Sequence, residues 1–300
     1  MSDDSSEADF ERITVDANGL NFGCLRAGSG DRLALCLHGF PDDAGSMMPI
    51  IDRLADAGYT AVAPYMRGYA PTDPAPDGDY SGIALGQDAI ALEDTLSDRY
   101  STNESVLVGH DWGASASYAA AALDPNAFER MATLAVPPRF VSLLFKHPRQ
   151  LFRSWYMWFF QLPGMPERAL RWREYSMVEF LWGIWSPGWE YPNDRIESVK
   201  ETLGSGQTVE HALQYYRDSI GSSISDAIRH GPPEADHTNP VGVPTLLLGG
   251  ELDGCIGIEL IEDAGPYLDD GRIVRVRDAG HFLHQERPDV VCEELLEWFE

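Results

Sequence analysis

Apolar and polar residues follow two different spacings along the first part of the chain. Short apolar runs such as RLALCLHG (32–39) and ESVLVGH (104–110) alternate with stretches of helical spacing such as MMPIIDRLADAG (47–58). Apolar strands that are separated by amphipathic helices are typical of a mostly parallel sheet with helices on both faces. The pattern therefore predicts an α/β fold for this part of the chain.

The alternation stops after about residue 137, where helix-like runs rich in Trp, Tyr, Phe and Arg replace it. No clear buried strand is visible until TLLLGGE (245–251), which is followed by a second apolar strand, GRIVRVRDAG (271–280). This order predicts one α/β core that is interrupted by a helical cap. The expected parts are a first core segment, a cap and a second core segment, at residues 1–137, 138–240 and 241–300.

The charge of the chain narrows its possible partners. The formal net charge is −26, and Lys146 and Lys200 are the only lysines. Such a field repels nucleic acids and anionic membranes, so we expect neither as a partner. An excess of Asp and Glu with almost no Lys is typical of proteins from salt-loving organisms, where counterions screen the repulsion. We therefore expect a halophilic origin.

Composition also bears on location and cofactors. No stretch reaches the eighteen apolar residues of a membrane span, and the acidic N-terminal residues MSDDSSEADFER do not resemble a signal peptide. We therefore expect a cytoplasmic protein. The cysteines lack the spacing of metal ligands, so we expect small buried thiols, no metal site and no cofactor. They are Cys24, Cys36, Cys255 and Cys292.

The stretch VGHDWGASASYAA (108–120) contains three polar candidates for a nucleophile, Asp111, Ser115 and Ser117. Asp111 is flanked by small residues where a buried strand meets a helix, the place of a sharp and strained turn. Ser115 falls about one turn into the helix, where a small residue allows close packing. A carboxylate at a helix N-terminus is favoured as the anion. Asp111 is therefore the predicted nucleophile, with an ordinary helix cap as the alternative.

Two residues after later strands can act together with Asp111. Asp253 and His281 follow the two strands of the second core segment, at the edge where open α/β sheets place their sites. The chain order of nucleophile, acid and histidine matches the order found in α/β hydrolases. We therefore predict Asp253 as the orienting acid and His281 as the general base.

Other side chains compete for these two roles. Glu251 and Asp278 are alternative acids, and His284 is an alternative base. Glu251 is expected within its strand, and His284 is expected to begin the last helix. His281, in contrast, directly follows a glycine in the predicted loop.

Several motifs together carry a family resemblance from about residue 13 onward. HGFP (38–41), GHDWG (109–113) and AGHFLHQERP (279–288), together with the strand-end Asp253, resemble the epoxide hydrolases of the α/β-hydrolase fold. The resemblance implies that Asp111 forms an ester with a substrate carbon and that a water activated by histidine cleaves it. It also implies an oxyanion hole made by the N–H groups of Phe40 and Trp112.

Two tyrosines of the predicted cap bear on the leaving group. WYMWFFQLPG (155–164) and ALQYYRDS (212–219) resemble epoxide-hydrolase cap motifs, which implies that Tyr156 and Tyr216 hold the epoxide oxygen. An opening epoxide releases an alkoxide that needs a proton donor, and a phenol with a pKa of about 10 can supply one. The second motif departs from its usual Asn-Trp-Tyr-Arg, so Tyr215 stays as an alternative donor.

Two other functions remain open beside epoxide opening. GHDWG is shared with haloalkane dehalogenases, whose substrate loses a halide, and the indole of Trp112 is available to bind one. Many of those enzymes carry Asn at the position of Phe40, which favours the epoxide. A binding protein that keeps the hydrolase fold without catalysis is the third possible function, although all three predicted catalytic residues, Asp111, Asp253 and His281, are present. The expected partners are thus a small apolar epoxide or haloalkane and water, and the oligomeric state cannot be read from the sequence.

Overall fold

The apolar runs of the chain form one sheet in the computed structural model, which describes residues 10–221 and 240–300. The strands are β1 (Glu11–Ala17), β2 (Leu20–Ala27), β3 (Arg32–Leu37), β4 (Tyr59–Pro64), β5 (Glu104–His110), β6 (Arg130–Leu134), β7 (Thr245–Gly250) and β8 (Gly271–Val276). Their order across the sheet is β1-β2-β4-β3-β5-β6-β7-β8. The first two strand pairings, β1 with β2 and β2 with β4, are antiparallel, and all the others are parallel.

Helices cover this sheet and extend beyond it. They are α1 (Met48–Asp56), α2 (Gly82–Tyr100), α3 (Trp112–Leu123), α4 (Phe140–Lys146), α5 (Pro148–Arg153), α6 (Trp155–Phe159), α7 (Met165–Arg171), α8 (Ser176–Trp185), α9 (Asn193–Gly204), α10 (Thr208–Tyr216), α11 (Ile258–Glu262), α12 (Leu283–Glu286) and α13 (Pro288–Phe299). Short 3₁₀ turns at Ala44–Met47 and Gly265–Tyr267 and a π turn at Arg217–Gly221 complete the described elements.

The central strands are buried on both sides. Every residue of β4 and of β7 is buried, and successive side chains of a strand point to opposite faces. Helix α2 packs against α3, and α1 packs against α13. Helices therefore cover both faces of the sheet, and the predicted α/β fold is confirmed. No described helix has the length and apolar character that crossing a membrane requires.

The helices α4 to α10, from Phe140 to Tyr216, are called here the inserted helices. They follow β6, whose carboxyl end is Leu134, and precede its parallel neighbour β7. They therefore begin at the edge of the sheet where the parallel strands end. The division at 138–240 stays a prediction, because its second boundary lies next to residues 222–239, outside the described ranges.

Candidate active site

Three strands bring the predicted catalytic residues to one edge of the sheet. Asp111 directly follows β5, while Asp253 and His281 lie in the loops after β7 and β8. Because these strands run parallel, their carboxyl ends lie on the same side, as in other open α/β sheets that bind ligands there. The structure thus places together three side chains that are far apart in sequence.

The three side chains form a buried row, in which one contact is a hydrogen bond and the other is a longer charge contact. Nδ1 of His281 lies 2.9 Å from Asp253 Oδ2, and Nε2 lies 3.6 Å from Asp111 Oδ2. Asp253 Oδ1 accepts the backbone N–H groups of Cys255 and Ile256, at 2.7 Å and 2.8 Å. The contact of Asp253 with Nδ1 orients the imidazole and leaves Nε2 facing Asp111.

The turn between β5 and α3 holds Asp111 in a constrained geometry. Its φ of 51° lies in the left-handed region, which is costly for a residue other than glycine. Oδ1 accepts the backbone N–H of Phe40 at 2.8 Å, so one carboxylate oxygen is fixed. The turn also needs glycines around it, because an added β-carbon would collide with Asp111, Gly113 or Leu37. These glycines are Gly39, Gly109 and Gly113.

The charges of this row favour an ion pair in the free protein. Burial is the largest single influence on Asp111 and opposes its ionisation, but the contacts with His281, His110 and the N–H of Phe40 together lower the pKa of the carboxyl. Burial alone lowers the pKa of His281, but the charge of Asp253 and the interaction with Asp111 raise it to about 10. Around neutral pH the imidazolium of His281 therefore faces the ionised carboxylate of Asp111.

The predicted oxyanion-hole residues lie beside Asp111. The N–H of Phe40 already contacts the carboxylate, and Trp112 is the first residue of α3. The first N–H groups of an α-helix have no partner within the helix, so the N–H of Trp112 is available at this turn. The positions of both residues are compatible with the role that the resemblance implies.

The rival side chains next to the strands make other contacts. Ser115 lies inside α3, and Ser117 Oγ donates to the backbone oxygen of Gly113 at 2.8 Å. Glu251 forms an ion pair with Arg275 at 2.8 Å. These contacts and positions give Ser115, Ser117 and Glu251 no hydrogen bond to the row formed by Asp111, Asp253 and His281 among the described residues.

The last two rivals, Asp278 and His284, differ in burial. Asp278 is exposed, whereas the His284 ring is buried against His110, with centroids 4.3 Å apart. Burial, together with the nearby His110, holds the pKa of His284 well below its usual value, so its imidazole is neutral. His281 is thus the histidine that faces both carboxylates.

The tyrosines of the inserted helices differ in their hydroxyl contacts. Tyr216 is buried, and within the described ranges its hydroxyl has no hydrogen-bond partner. The Tyr215 hydroxyl donates to the backbone oxygen of Arg67 at 2.8 Å, which directs it away from the row. The Tyr156 hydroxyl lies 3.2 Å from Cys255 Sγ. Within the described residues, Tyr216 rather than Tyr215 therefore has a hydroxyl that no hydrogen bond of normal geometry holds, with the Trp112 side chain beside it.

Both remaining phenols are held in the protonated form. Burial raises the pKa of Tyr156 and of Tyr216 well above the usual value, and the negative charge of Asp111 adds to this in both cases. The two rings are 5.9 Å apart, and Tyr216 packs edge-on against Phe40 at 5.5 Å. Two hydrogen-bond donors therefore lie on the side of the site formed by the inserted helices.

Cys255, which the sequence predicts only as a small buried thiol, and Trp185 of α8 also lie beside the predicted catalytic side chains. The ring of Trp185 lies 4.8 Å from that of Tyr156 and 5.3 Å from that of His281. The thiol of Cys255 contacts the Tyr156 hydroxyl. In the sequence, only its position two residues after Asp253 indicates that it lies near the site. Nothing in the sequence distinguishes Trp185 from the other aromatic residues, because they occur throughout this segment.

One group of donor atoms has a composition that suits a metal ion. One ligand atom each from Asp253, Cys255 and His281 lie within 4.8 Å of one another. Asp253 and His281 are hydrogen-bonded to each other, and Cys255 is bonded to the hydroxyl of Tyr156. Since all three side chains already have hydrogen-bond partners in the protein, these contacts account for their arrangement without a metal ion.

Similarity to known proteins agrees with this geometry. Residues 34–294 match the alpha/beta hydrolase family. Epoxide hydrolase A of Mycobacterium tuberculosis (strain ATCC 25618 / H37Rv) is 30% identical, with 97% of each chain covered. The AB hydrolase superfamily protein YfhM of Bacillus subtilis (strain 168) is 27% identical over 95% of this chain and 96% of its own. The crystal structure of Epoxide Hydrolase A from Mycobacterium thermoresistibile superimposes with a TM-score of 0.76 at 26% identity, covering 96% of this chain and 98% of that one. The chain therefore belongs to the alpha/beta hydrolase family and is an epoxide hydrolase-like enzyme of that family.

Proposed function

We propose that this hydrolase opens an epoxide to a vicinal diol through a covalent ester on Asp111, with the inserted helices acting as a cap over the site. The observation that carries the proposal is the pairing of an ionised, buried Asp111 with two protonated phenols, Tyr156 and Tyr216, that feel its charge. A carboxylate nucleophile and an acid on the opposite side are what ring opening of an epoxide requires. The names of the related epoxide hydrolases support the same substrate class.

The first step is attack on an epoxide carbon by Asp111. Oδ1 is held by the N–H of Phe40, so Oδ2 is the oxygen that attacks. The Oδ2–carbon bond forms while the carbon–oxygen bond of the ring breaks. Tyr156 and Tyr216 donate hydrogen bonds to the departing oxygen, and one of them transfers its proton to the alkoxide.

Formation of the ester also changes the protonation of His281. The ester removes the negative charge of Asp111, which is one of the causes that raise the pKa of His281 to about 10. The pKa therefore falls, and the imidazolium can return a proton to the tyrosinate left by the first step. This transfer leaves a neutral tyrosine and a neutral histidine, so the protons balance.

The second step is hydrolysis of the ester. Neutral His281, oriented by Asp253, takes a proton from a water that attacks Cγ of Asp111. Negative charge develops on Oδ1, where the N–H groups of Phe40 and Trp112 stabilise it. Collapse breaks the bond between Cγ and Oδ2, and the departing alkoxide takes the proton of the newly added hydroxyl. This step releases the diol and restores the carboxylate of Asp111 beside protonated His281.

Hydrolytic dehalogenation by the same nucleophile is the second candidate. Trp112 lies in the site, with its ring 4.9 Å from that of Tyr216, and its indole N–H is a donor of the kind that suits a halide. A halide leaves without needing a proton, however, so this reaction gives the two protonated tyrosines no role. A binding protein without catalysis is the least favoured hypothesis, because it gives Asp111, Asp253 and His281 no role.

A parallel assay tests the proposed function. Styrene oxide, an aliphatic epoxide and 1-bromobutane are incubated with the protein in high salt, and diol and bromide are measured. We expect diol from at least one epoxide and little bromide. Bromide release without diol formation would support the dehalogenase instead.

A further inference from the structure

The loop that carries the predicted base is fixed by an unusual set of backbone contacts. Three consecutive N–H groups each have their own acceptor outside the loop, in α12 or at the end of α8. Gly280 donates to Glu286 Oε2 at 2.8 Å, His281 to the backbone oxygen of Trp185 at 3.1 Å, and Phe282 to Ser186 Oγ at 3.2 Å. The backbone around His281 therefore has little freedom to rotate or shift.

Two of these acceptors are also bonded to each other. The hydroxyl of Ser186 donates to Glu286 Oε1 at 2.6 Å, while its oxygen accepts the N–H of Phe282. Ser186 is 1% exposed and Glu286 is half-buried, so this bond is partly shielded from water. The carboxylate of Glu286 thus uses one oxygen for Gly280 and the other for Ser186, which joins the inserted helices to the histidine loop.

The end of α8 also reaches the loop of the predicted orienting acid. The backbone oxygen of Trp185 accepts a second N–H, that of Gly254, at 3.0 Å. An added β-carbon on Gly254 would collide with the oxygen of Ile184, and one on Gly280 would lie 2.5 Å from Ser186 Cα. One glycine in each catalytic loop therefore allows the backbone of the inserted helices to approach closely.

We propose that Ser186 and Glu286 are positioning residues that hold the His281 imidazole between Asp253 and Asp111. Neither residue touches the carboxylate of Asp111 in this arrangement, so both act through the loop. The kinetic part of this inference rests on the proposed function. Its physical basis is that a misplacement of about 1 Å in a catalytic group costs about a hundredfold in rate.

Substitutions at the two positions give distinct expectations. Ser186→Ala leaves the buried N–H of Phe282 without its acceptor, and Glu286→Ala does the same to Gly280. Each should lower kcat by about tenfold or more while KM changes by less than about threefold. The double variant should be no worse than about twofold below the more damaging single variant, because both residues belong to one network.

Two further variants separate positioning from a general structural effect. Glu286→Gln keeps an oxygen for the N–H of Gly280 and an NH₂ group for Ser186 Oγ, so it should restore most of the kcat lost in Glu286→Ala. Glu293→Ala removes the same charge from an exposed position on α13 and should leave kcat unchanged. Equal loss in the Gln and Ala variants, or full activity in Ser186→Ala, would overturn the inference.

A measurement without substrate separates this inference from the proposed function. The proton on Nδ1 of His281, shared with Asp253, should give a far-downfield proton NMR signal. Ser186→Ala and Glu286→Ala should shift or broaden that signal, whereas Glu293→Ala should not. An unchanged signal in both alanine variants overturns the positioning role even if the wild type opens epoxides. A shifted signal supports that role even if it opens none.

One more variant covers the case in which the alanine variants fail to fold. Ser186→Cys keeps a weaker donor and acceptor at the same atom position. It should give a smaller loss of kcat and a smaller shift of the Nδ1 signal. Wild-type values of both quantities in a folded Ser186→Cys protein would overturn the inference.

Discussion

Asp111 Oδ2 and His281 Nε2 are 3.6 Å apart, longer than a normal hydrogen bond but close enough for strong charge interaction. The two side chains therefore form an ion pair whose strength depends on the charge of Asp111. When an ester removes that charge, His281 loses one cause of its raised pKa. In the proposed mechanism, the same pair therefore accounts for a protonated His281 in the free enzyme and a basic His281 in the ester.

The two adjacent tyrosines of α10 provide a matched comparison. Tyr216→Phe removes a hydroxyl that has no partner within the described residues, whereas Tyr215→Phe removes one bonded to Arg67. We expect Tyr216→Phe to lower kcat on an epoxide by about a hundredfold and Tyr215→Phe by less than about threefold. Tyr156→Phe combined with Tyr216→Phe should abolish epoxide opening and spare any halide displacement. Steady-state kinetics decide, and a larger loss in Tyr215→Phe would reverse the assignment.

Stability should depend on pH through His281. Its pKa in the folded protein is about 10, above the ordinary 6.5, so its contribution is complete below pH 6.5 and is lost as pH rises toward 10. Urea unfolding of the wild type and of His281→Gln at several pH values measures it. The difference in free energy of unfolding should shrink between about pH 6.5 and 10. A difference that grows over this range would show that His281 is not held as the cation.

Gly39 lies so close to the side chain of Asp111 that adding one methyl group at Gly39 tests the geometry of the turn. A β-carbon on Gly39 would collide with Asp111 Cβ, whereas nothing lies within 4 Å of a β-carbon on Gly82. We expect Gly39→Ala to reduce kcat/KM by about a hundredfold, because it displaces the carboxylate, and Gly82→Ala to leave it unchanged. Kinetics and a thermal melt of each variant provide the check, and normal activity in Gly39→Ala would contradict the geometry of the turn.

The high acidity predicts a response to salt. With a net charge of −26, repulsion destabilises the folded state in dilute buffer, and molar KCl screens it. We expect the midpoint of thermal unfolding to rise by about 5 °C or more, which corresponds to about 2 kcal/mol. Calorimetry at several KCl concentrations measures this shift. Equal stability and activity in dilute buffer would remove the halophilic interpretation.

Patterns that depend on neighbours in the chain allowed most of the fold to be predicted. Residues 33–37 and 246–250 are apolar throughout, as is typical of strands that are buried on both faces. The positions of Asp111, Asp253 and His281 could be predicted from the sequence for a related reason. Each follows a recognisable strand, and parallel strands end at one edge of the sheet.

Long-range contacts account for what the sequence did not reveal. Tyr215 and Tyr216 are neighbours of the same type, and only the bond from Tyr215 to Arg67 separates their roles. Ser186 and Glu286 are 100 residues apart, and neither belongs to a pattern that marks a partner. Such pairings depend on how α8 packs on the sheet, which no local spacing encodes.

Intact-protein mass spectrometry of the His281→Gln variant, mixed with an epoxide that the wild type converts, tests the central claim most directly. The variant lacks the base for the second step, so a species heavier by the mass of the epoxide should accumulate, and digestion should place it on Asp111. Asp111→Asn, measured before any deamidation, should show no such species. An unmodified His281→Gln protein that still releases diol, or an adduct on another residue, would contradict the covalent role of Asp111.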